Sequence, residues 1–299
     1  MDQTVGLLPG GYVDRDGVAH REVEVVPLSG REEELLAGRS TVSAALVTAV
    51  LERCTRRIGA ISPPGREVVR GLLVADRQYL LLKLREATFG DQVQGTVRCA
   101  WPDCGAKVDI EFSIRDIPIR ESEQKGPVYE MDLSPEAAWQ DEQGALHRRL
   151  SFRLPNGADQ ESVGPLLAVN ESEALTELLA RCILSIGSWR NLTASQIAEL
   201  SPLARLEIEK CMEQTAPAVE LSMEVGCPEC GRRFTVPFDL QDFFFGELRT
   251  SHDLLYREVH YLAYHYHWSE REIMEMPRDK RRSYIAILAD EIERLNDAL

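Results

Sequence analysis

Long apolar runs are missing from this chain. None approaches the roughly 18 consecutive apolar residues of a membrane-spanning helix, so no span is expected. The opening MDQTVGLLPGG has neither a basic n-region nor an apolar h-region, and a secretory leader is not expected either. Positive charge is scarce: 34 Lys and Arg stand against 49 Asp and Glu, a net charge of −15. Phosphate contacts need clustered cations, so the balance argues against a nucleic-acid partner. The one basic cluster, RDKRR at 278–282, opens a helix and reads as a solvated face or a protein contact. Catalytic signatures are absent as well. There is no P-loop, no Gly-rich dinucleotide loop and no Ser-His-Asp arrangement, and no carboxylate pair stands out, so an enzyme is not expected.

What is present is cysteine in pairs. Cys99 and Cys104 lie in TVRCAWPDCGAKVDIEF, and Cys227 and Cys230 in LSMEVGCPECGRRFTVPF. The two segments are imperfect copies of one unit: an alternating strand, a Cys pair, a Gly, a basic residue and a second alternating strand. Pro102 and Pro228 each stand two residues before the second Cys and preset the turn. Gly105 and Gly231 follow it and tolerate the positive φ of a metal knuckle. Four thiolates are what a tetrahedral structural zinc takes. Zinc held by Cys99, Cys104, Cys227 and Cys230 is therefore expected. Such a closed site leaves no position for a substrate. Copy one departs from the pattern, because Trp101 stands where C-P-x-C wants Cys. A vestigial site with free thiols, or a redox C-x-x-C, are the other readings; no thioredoxin-like βαβ pattern surrounds the pair. Cys54, Cys182 and Cys211 sit alone in helical segments and read as buried small hydrophobes. Seven thiols, an odd number, suit a reducing cytoplasm.

The fold class expected is α+β, a zinc-ribbon-like β core of two Cys-tipped hairpins with a helical insert and a helical C-terminal region. A β-hairpin region spans 1–28, turned at Asp16-Gly17. Residues 29–90 read as helical, starting at a Ser29–Glu32 capping box, with helices over Thr41–Arg57 and Glu67–Glu86. The LLL run at 80–82 could end the second helix early. The first knuckle hairpin covers 91–119, and a mostly helical, separable insert covers 120–217. The second knuckle covers 218–240, its strands marked by Val219, Leu221, Met223, Val225, Phe234, Val236 and Phe238. Residues 241–299 read as helical after the junction DLQDFFFGELR. There Leu255, Val259, Leu262 and Tyr266 share one helix face. Ile285, Leu288, Ile292, Leu295 and Leu299 form a seam of 3-4-3-4 spacing, too short to favour a free coiled coil. His260, His265 and His267 lack the spacing that stacks two ligands on one helix face, and read as part of an aromatic packing surface. Trp268, Ser269, Glu272, Arg278, Arg281 and Arg282 gather around one turn between helices. Trp and Arg commonly anchor interfaces, so these six are the expected partner-binding residues.

YREVHYLAYHYHWSEREIMEMPRDKRRSYIAIL, with CPECGRRFTVPFDLQDFF before it, resembles the baseplate hub assembly family of contractile-tailed phages and related contractile injection systems. LPGGYVDRDGVAHREVEVVPLSGREEE, LLKLREATFG and FRLPNGADQE extend the similarity over most of the chain. The resemblance implies a non-enzymatic baseplate hub protein or phage tail assembly factor. Its partners would be baseplate, hub or spike proteins. It would be cytoplasmic or incorporated into the assembled particle. A zinc-ribbon nucleic-acid or transcription-related protein is the alternative function, and the acidic charge counts against it.

Overall fold

The computed structural model of the chain describes residues 4–37, 43–122, 126–220, 222–237 and 252–297. Phe238, the junction 239–249, Leu221 and Leu299 lie outside these residues.

The first half opens with an antiparallel hairpin, β1 (Thr4–Val13) and β2 (Ala19–Val25). Ser29 then caps α1 (Gly30–Leu36) in a full capping box with Glu32. Next come α2 (Ala44–Cys54) and β3 (Thr55–Ile58), which adds to β2 as the third strand. The helices α3 (Arg66–Gly71) and α4 (Val74–Phe89) follow. The expected helices therefore differ from the structure in two places. The first ends in a strand, and the second breaks at Leu72-Leu73, whose backbones are extended. The LLL run does not end α4: Leu80, Leu81 and Leu82 are all buried, because core packs around the helix on several sides. The half closes with the Cys-tipped hairpin β4 (Gln92–Arg98) and β5 (Lys107–Ser113), then the short β6 (Ile119–Arg120).

The second half is not mostly helical. It runs β7 (Tyr129–Asp132), β8 (Trp139–Gln140), β9 (Leu146–His147), β10 (Arg149–Phe152), α5 (Gly157–Leu167), α6 (Glu171–Cys182), β11 (Ile183–Ile186), β12 (Trp189–Arg190), α7 (Ala194–Ala198) and α8 (Pro202–Thr215). The knuckle strands β14 (Ser222–Gly226) and β15 (Arg233–Pro237) follow, after β13 (Ala218–Val219), which pairs with β6. Strands of two residues carry almost no period-two signal, so of the strands between the knuckles only the run RRLSFRL, which holds β10, reads as a strand in the sequence.

The order of elements repeats, and so does the register. Tyr12 faces His20 and Val13 faces Ala19; Trp139 faces His147 and Gln140 faces Leu146. Val23 pairs with Ile58 and Val25 with Thr55, just as Leu150 pairs with Ile186 and Phe152 with Ile183, with a shift at the same place. Each half turns its hairpin alike. Asp14 Oδ1 accepts the N–H groups of Asp16 and Val18, and its other oxygen meets His20 at 2.9 Å. Asp141 Oδ1 accepts those of Gln143 and Ala145, and its other oxygen meets His147 at 2.8 Å. His147, then the Ala145 amide, hold the Asp141 carboxyl at about 2. Gly17 and Gly144 take the left-handed conformation that closes each turn, at φ 79° and 83°. Asn156 with Asp159 repeats the capping box of Ser29 with Glu32. Two knuckles alike at sequence level are thus the visible ends of two halves that share a hairpin turn, a capping box and a strand register.

Each half has its own apolar core, yet they are bridged. Glu161 of α5 accepts from Arg70 and from Thr48 of the first half. Arg77, only 2% exposed, lies against Gly157. The segment 120–217 is therefore tied to the first half by these contacts. The C-terminal part is helical as expected: α9 (His252–Tyr266), α10 (Glu270–Met274) and α11 (Arg278–Asp297). Leu255, Val259 and Leu262 bury one face of α9, with Tyr266 packed beside them. Tyr284 and Ile285 of α11 join that cluster.

Candidate metal centre

Each knuckle tip is pinned by backbone bonds. Cys99 N–H donates to Ala106 O at 2.8 Å and Cys227 N–H to Arg232 O at 3.0 Å. Gly105 and Gly231 hold φ of 60° and 69°, the reversal that lets each chain fold back under its sulfurs. The two tips meet although 123 and 131 residues separate their closest cysteines. The Sγ atoms of Cys99, Cys104, Cys227 and Cys230 all lie within 4.8 Å of one another. Cys99 lies 3.8 Å from Cys230 and Cys104 3.7 Å from Cys227, so the close contacts run across the halves. A tetrahedron with metal–sulfur bonds of about 2.3 Å has edges of roughly 3.8 Å. The four cysteines could therefore hold a metal ion.

The surroundings fit a closed centre. Cys99 and Cys227 are buried, and Val97, Val108, Val225 and Phe234 pack around the sulfurs. Burial pushes the Cys99 thiol up to about 12. For Cys104 the Ala106 amide pulls downward, but burial and the Cys227 and Cys230 sulfurs outweigh it and the net direction is up. Cys230 goes the other way, to about 6, drawn down first by the Arg232 amide and also by its guanidinium. Four adjacent thiols cannot all ionise unaided, and a divalent cation is what lets them.

A clasp that the sequence pattern did not mark ties the tips together. Arg232 donates to both carboxylate oxygens of Asp103 at 2.7 Å. Its guanidinium lies 4.5 Å from the ring centroid of Trp101, whose Nε1 donates to Arg233 O. The departure in copy one explains this. The two extra residues of the C-x4-C loop carry Trp101 and Asp103 across to the other knuckle.

A family model described as T4 bacteriophage base plate protein matches residues 15–245. The chain belongs to that family. A second model, a family of unknown function (DUF6760), matches residues 248–299. No curated protein and no solved structure matches the chain. In this base plate protein the boundary between the two matches falls after β15 and before α9, where the two repeated halves give way to the C-terminal helices. Membership of the family makes it a baseplate-associated protein.

The six residues expected to bind a partner do not form one surface in the base plate chain. Arg278 and Arg281 are 4% and 0% exposed. Both pair with Glu33 of α1, at 3.0 and 2.7 Å, and Arg281 also reaches Glu258 at 2.8 Å. They are internal fasteners of the C-terminal helices. Glu33 lies 245 residues before Arg278, so no local pattern could reveal the pairing. Ser269 and Glu272 form the capping box of α10. Trp268 is half-buried, stacked on Tyr266 at 4.7 Å and edge-on to Tyr284 at 4.8 Å. Arg282 is exposed. His265 packs edge-on to Tyr261 and Tyr264, and His260 stacks on Tyr264, so these histidines belong to an aromatic surface. Among the described residues no helix is long and apolar enough to cross a membrane.

Proposed function

We propose that this chain is a non-enzymatic structural component or assembly factor of the baseplate hub in a contractile tail or contractile injection system. The metal that staples it is zinc, held by Cys99, Cys104, Cys227 and Cys230. The single observation that carries this reading is the closed four-thiol cluster joining two halves of a base plate family chain. Four cysteines complete the coordination of zinc and leave no open position, so the metal contributes folding energy rather than chemistry. It locks the two knuckle hairpins, and the Trp101–Arg232–Asp103 clasp shields one side of the joint. A nucleic-acid role finds no support at the tips, where Arg232 is paired with Asp103.

Baseplate, hub or spike proteins of the particle are the partners. Ser269, Glu272 and Arg282 are exposed at the turn into α10 and the first turns of α11, beside half-buried Trp268, and stay the proposed contact. Metal analysis should find one zinc per chain; none, or two, overturns the single-site reading. Mass spectrometry of purified particles, and of assembly intermediates lacking the tail tube, tests the baseplate role. Absence from both sinks it, and presence only in intermediates makes the protein an assembly factor.

A further inference from the structure

The two halves end one core helix in the same way. α2 stops at Cys54 and α6 at Cys182, and a strand follows each at once. Val26 N–H donates to Cys54 O and Arg153 N–H to Cys182 O, both at 2.9 Å. An arginine precedes each cysteine, Arg53 in α2 and Arg181 in α6. In the second half these arginines surround an anion of the chain's own. Arg153 gives two hydrogen bonds to the fully buried Asp159 carboxylate, at 2.6 and 2.9 Å, and Arg181 gives a third at 2.8 Å. Planar guanidinium groups recognise oxyanions through such paired bonds.

The first half has the cations without that pairing. Glu32 stands in the place of Asp159, but its Oε2 accepts the N–H and the hydroxyl of Ser29, and no arginine among the described residues pairs with it. Arg31, Arg53, Arg56, Arg278 and Lys280 line a cavity of about 580 Å³ where α1 starts, α2 ends and α11 starts. The side chains of Arg31, Arg53, Arg56 and Lys280 pair with no other described residue. Arg278 is bound to Glu33, yet its buried Nε has no acceptor among the described residues. Burial, aided by Arg282 and Arg281, holds the Arg278 guanidinium below its ordinary value even with Glu33 beside it.

Carboxylates in the lining do not balance this charge. Of the three, Glu32 is committed to Ser29 and Glu275 lies 4.0 Å from Arg271, which leaves Asp279. Four unpaired cations thus share the cavity with one unpaired carboxylate, in a chain whose net charge is −15. Asp279 and Lys280 are also the second and third residues of the 20-residue helix α11. The first-turn N–H groups of a helix have no acceptor within it and add partial positive charge. A cleft lined by one sign of charge concentrates ions of the other.

We propose that this cavity is a binding site for a multiply charged oxyanion of the phosphate class, held by Arg31, Arg53, Arg56 and Lys280. One carboxylate satisfies the two arginines of the second half. The larger cation excess here calls for a group with more oxygens and more than one negative charge, which phosphate supplies. Arg31, Arg53 and Arg56 fall within the base plate match, and Arg278 and Lys280 within the second family match. The bound anion therefore ties the C-terminal helices to the first half.

Calorimetric titration of the full-length protein with inorganic phosphate and with pyrophosphate tests this, at constant ionic strength and with nitrate as the singly charged control. One site per chain should saturate with at least one of the two phosphates and not with nitrate. Tighter binding of phosphate identifies a single phosphate group as the ligand, and tighter binding of pyrophosphate a phosphate chain. The saturating anion should also slow proteolysis within 252–297. Arg53→Gln/Arg56→Gln, at two exposed positions, should weaken binding about tenfold or more while the thermal midpoint and metal content in phosphate-free buffer stay as in the parent. Arg149→Gln, on the exposed face of β10, should leave binding unchanged. Absence of saturation with both phosphates, equal affinity for nitrate, unchanged proteolysis, or binding that survives Arg53→Gln/Arg56→Gln overturns the proposal.

Discussion

Arg77 and Arg205 occupy one structural position in two halves of the chain. Arg77 donates to Thr48 Oγ1 at 3.0 Å and to Val69 O at 3.3 Å. Arg205 donates to Thr176 Oγ1 at 3.0 Å and to Ile197 O at 3.1 Å. Even the threonines match in place, each hydroxyl oxygen lying about 3 Å from the carbonyl four residues earlier, 3.1 Å from Ala44 O and 2.9 Å from Ser172 O. The surroundings differ: Gly157 covers Arg77, and nothing among the described residues covers Arg205 in the same way.

That difference should be measurable. Arg77→Ala removes a buried guanidinium that bridges α2, α3 and the second half, and should cost about 3 kcal/mol. Arg205→Ala leaves its acceptors nearer to water and should cost about 1 kcal/mol. Urea unfolding of the two variants gives the comparison; equal losses would mean that the cover over Arg77 contributes nothing.

Metal removal should act through the fold. Cys227→Ser should abolish metal binding and lower the thermal midpoint sharply, as should a strong chelator, since binding energy here is folding energy. Cys182 lies apart from the cluster, fully buried in the second core, and burial pushes its thiol up to about 12. Cys182→Ser should keep the full metal content and cost only about 1–2 kcal/mol. A zinc-loaded Cys227→Ser protein of unchanged stability would contradict the four-ligand centre.

Arg281→Glu should not behave as a surface substitution. It sets a third carboxylate beside Glu33 and Glu258 in a buried site and should cost about 3–5 kcal/mol. The loss should show as early proteolysis around residues 252–297, with the metal retained. Arg282→Glu, on the exposed neighbour, should leave stability nearly unchanged. Similar melting of both variants would place Arg281 outside the fastener.

Asp76 offers a pH test. It is buried and accepts the N–H groups of Gly10 and Gly11, and burial outweighs those bonds to raise its carboxyl to about 6. A raised carboxyl binds its proton more tightly in the folded state, so the stability it contributes is complete below about 4 and lost as pH rises through about 6. The wild-type minus Asp76→Asn difference in unfolding free energy should fall by about 3 kcal/mol across that window. A flat difference would show that Asp76 ionises normally.

Features that depend on short spacing are legible in the chain's own residue order. The four cysteines, the glycines after them, the capping boxes at Ser29 and Ser269 and the apolar face of α9 all follow from residues within a turn or a hairpin of one another. The base plate resemblance rested on such strings too. What joins distant segments emerges from the packing alone. Two-residue strands such as β8 and β9 have no periodicity to read, so the second half looked like an insert until its register matched the first. Trp101 looked like a flaw in a knuckle until it was seen lying on Arg232. Arg281 looked like a surface cation until Glu33 was found beside it. A charge on a helix reads as exposed from its own neighbours alone; burial is set by what packs against it, and here that comes from the other end of the chain.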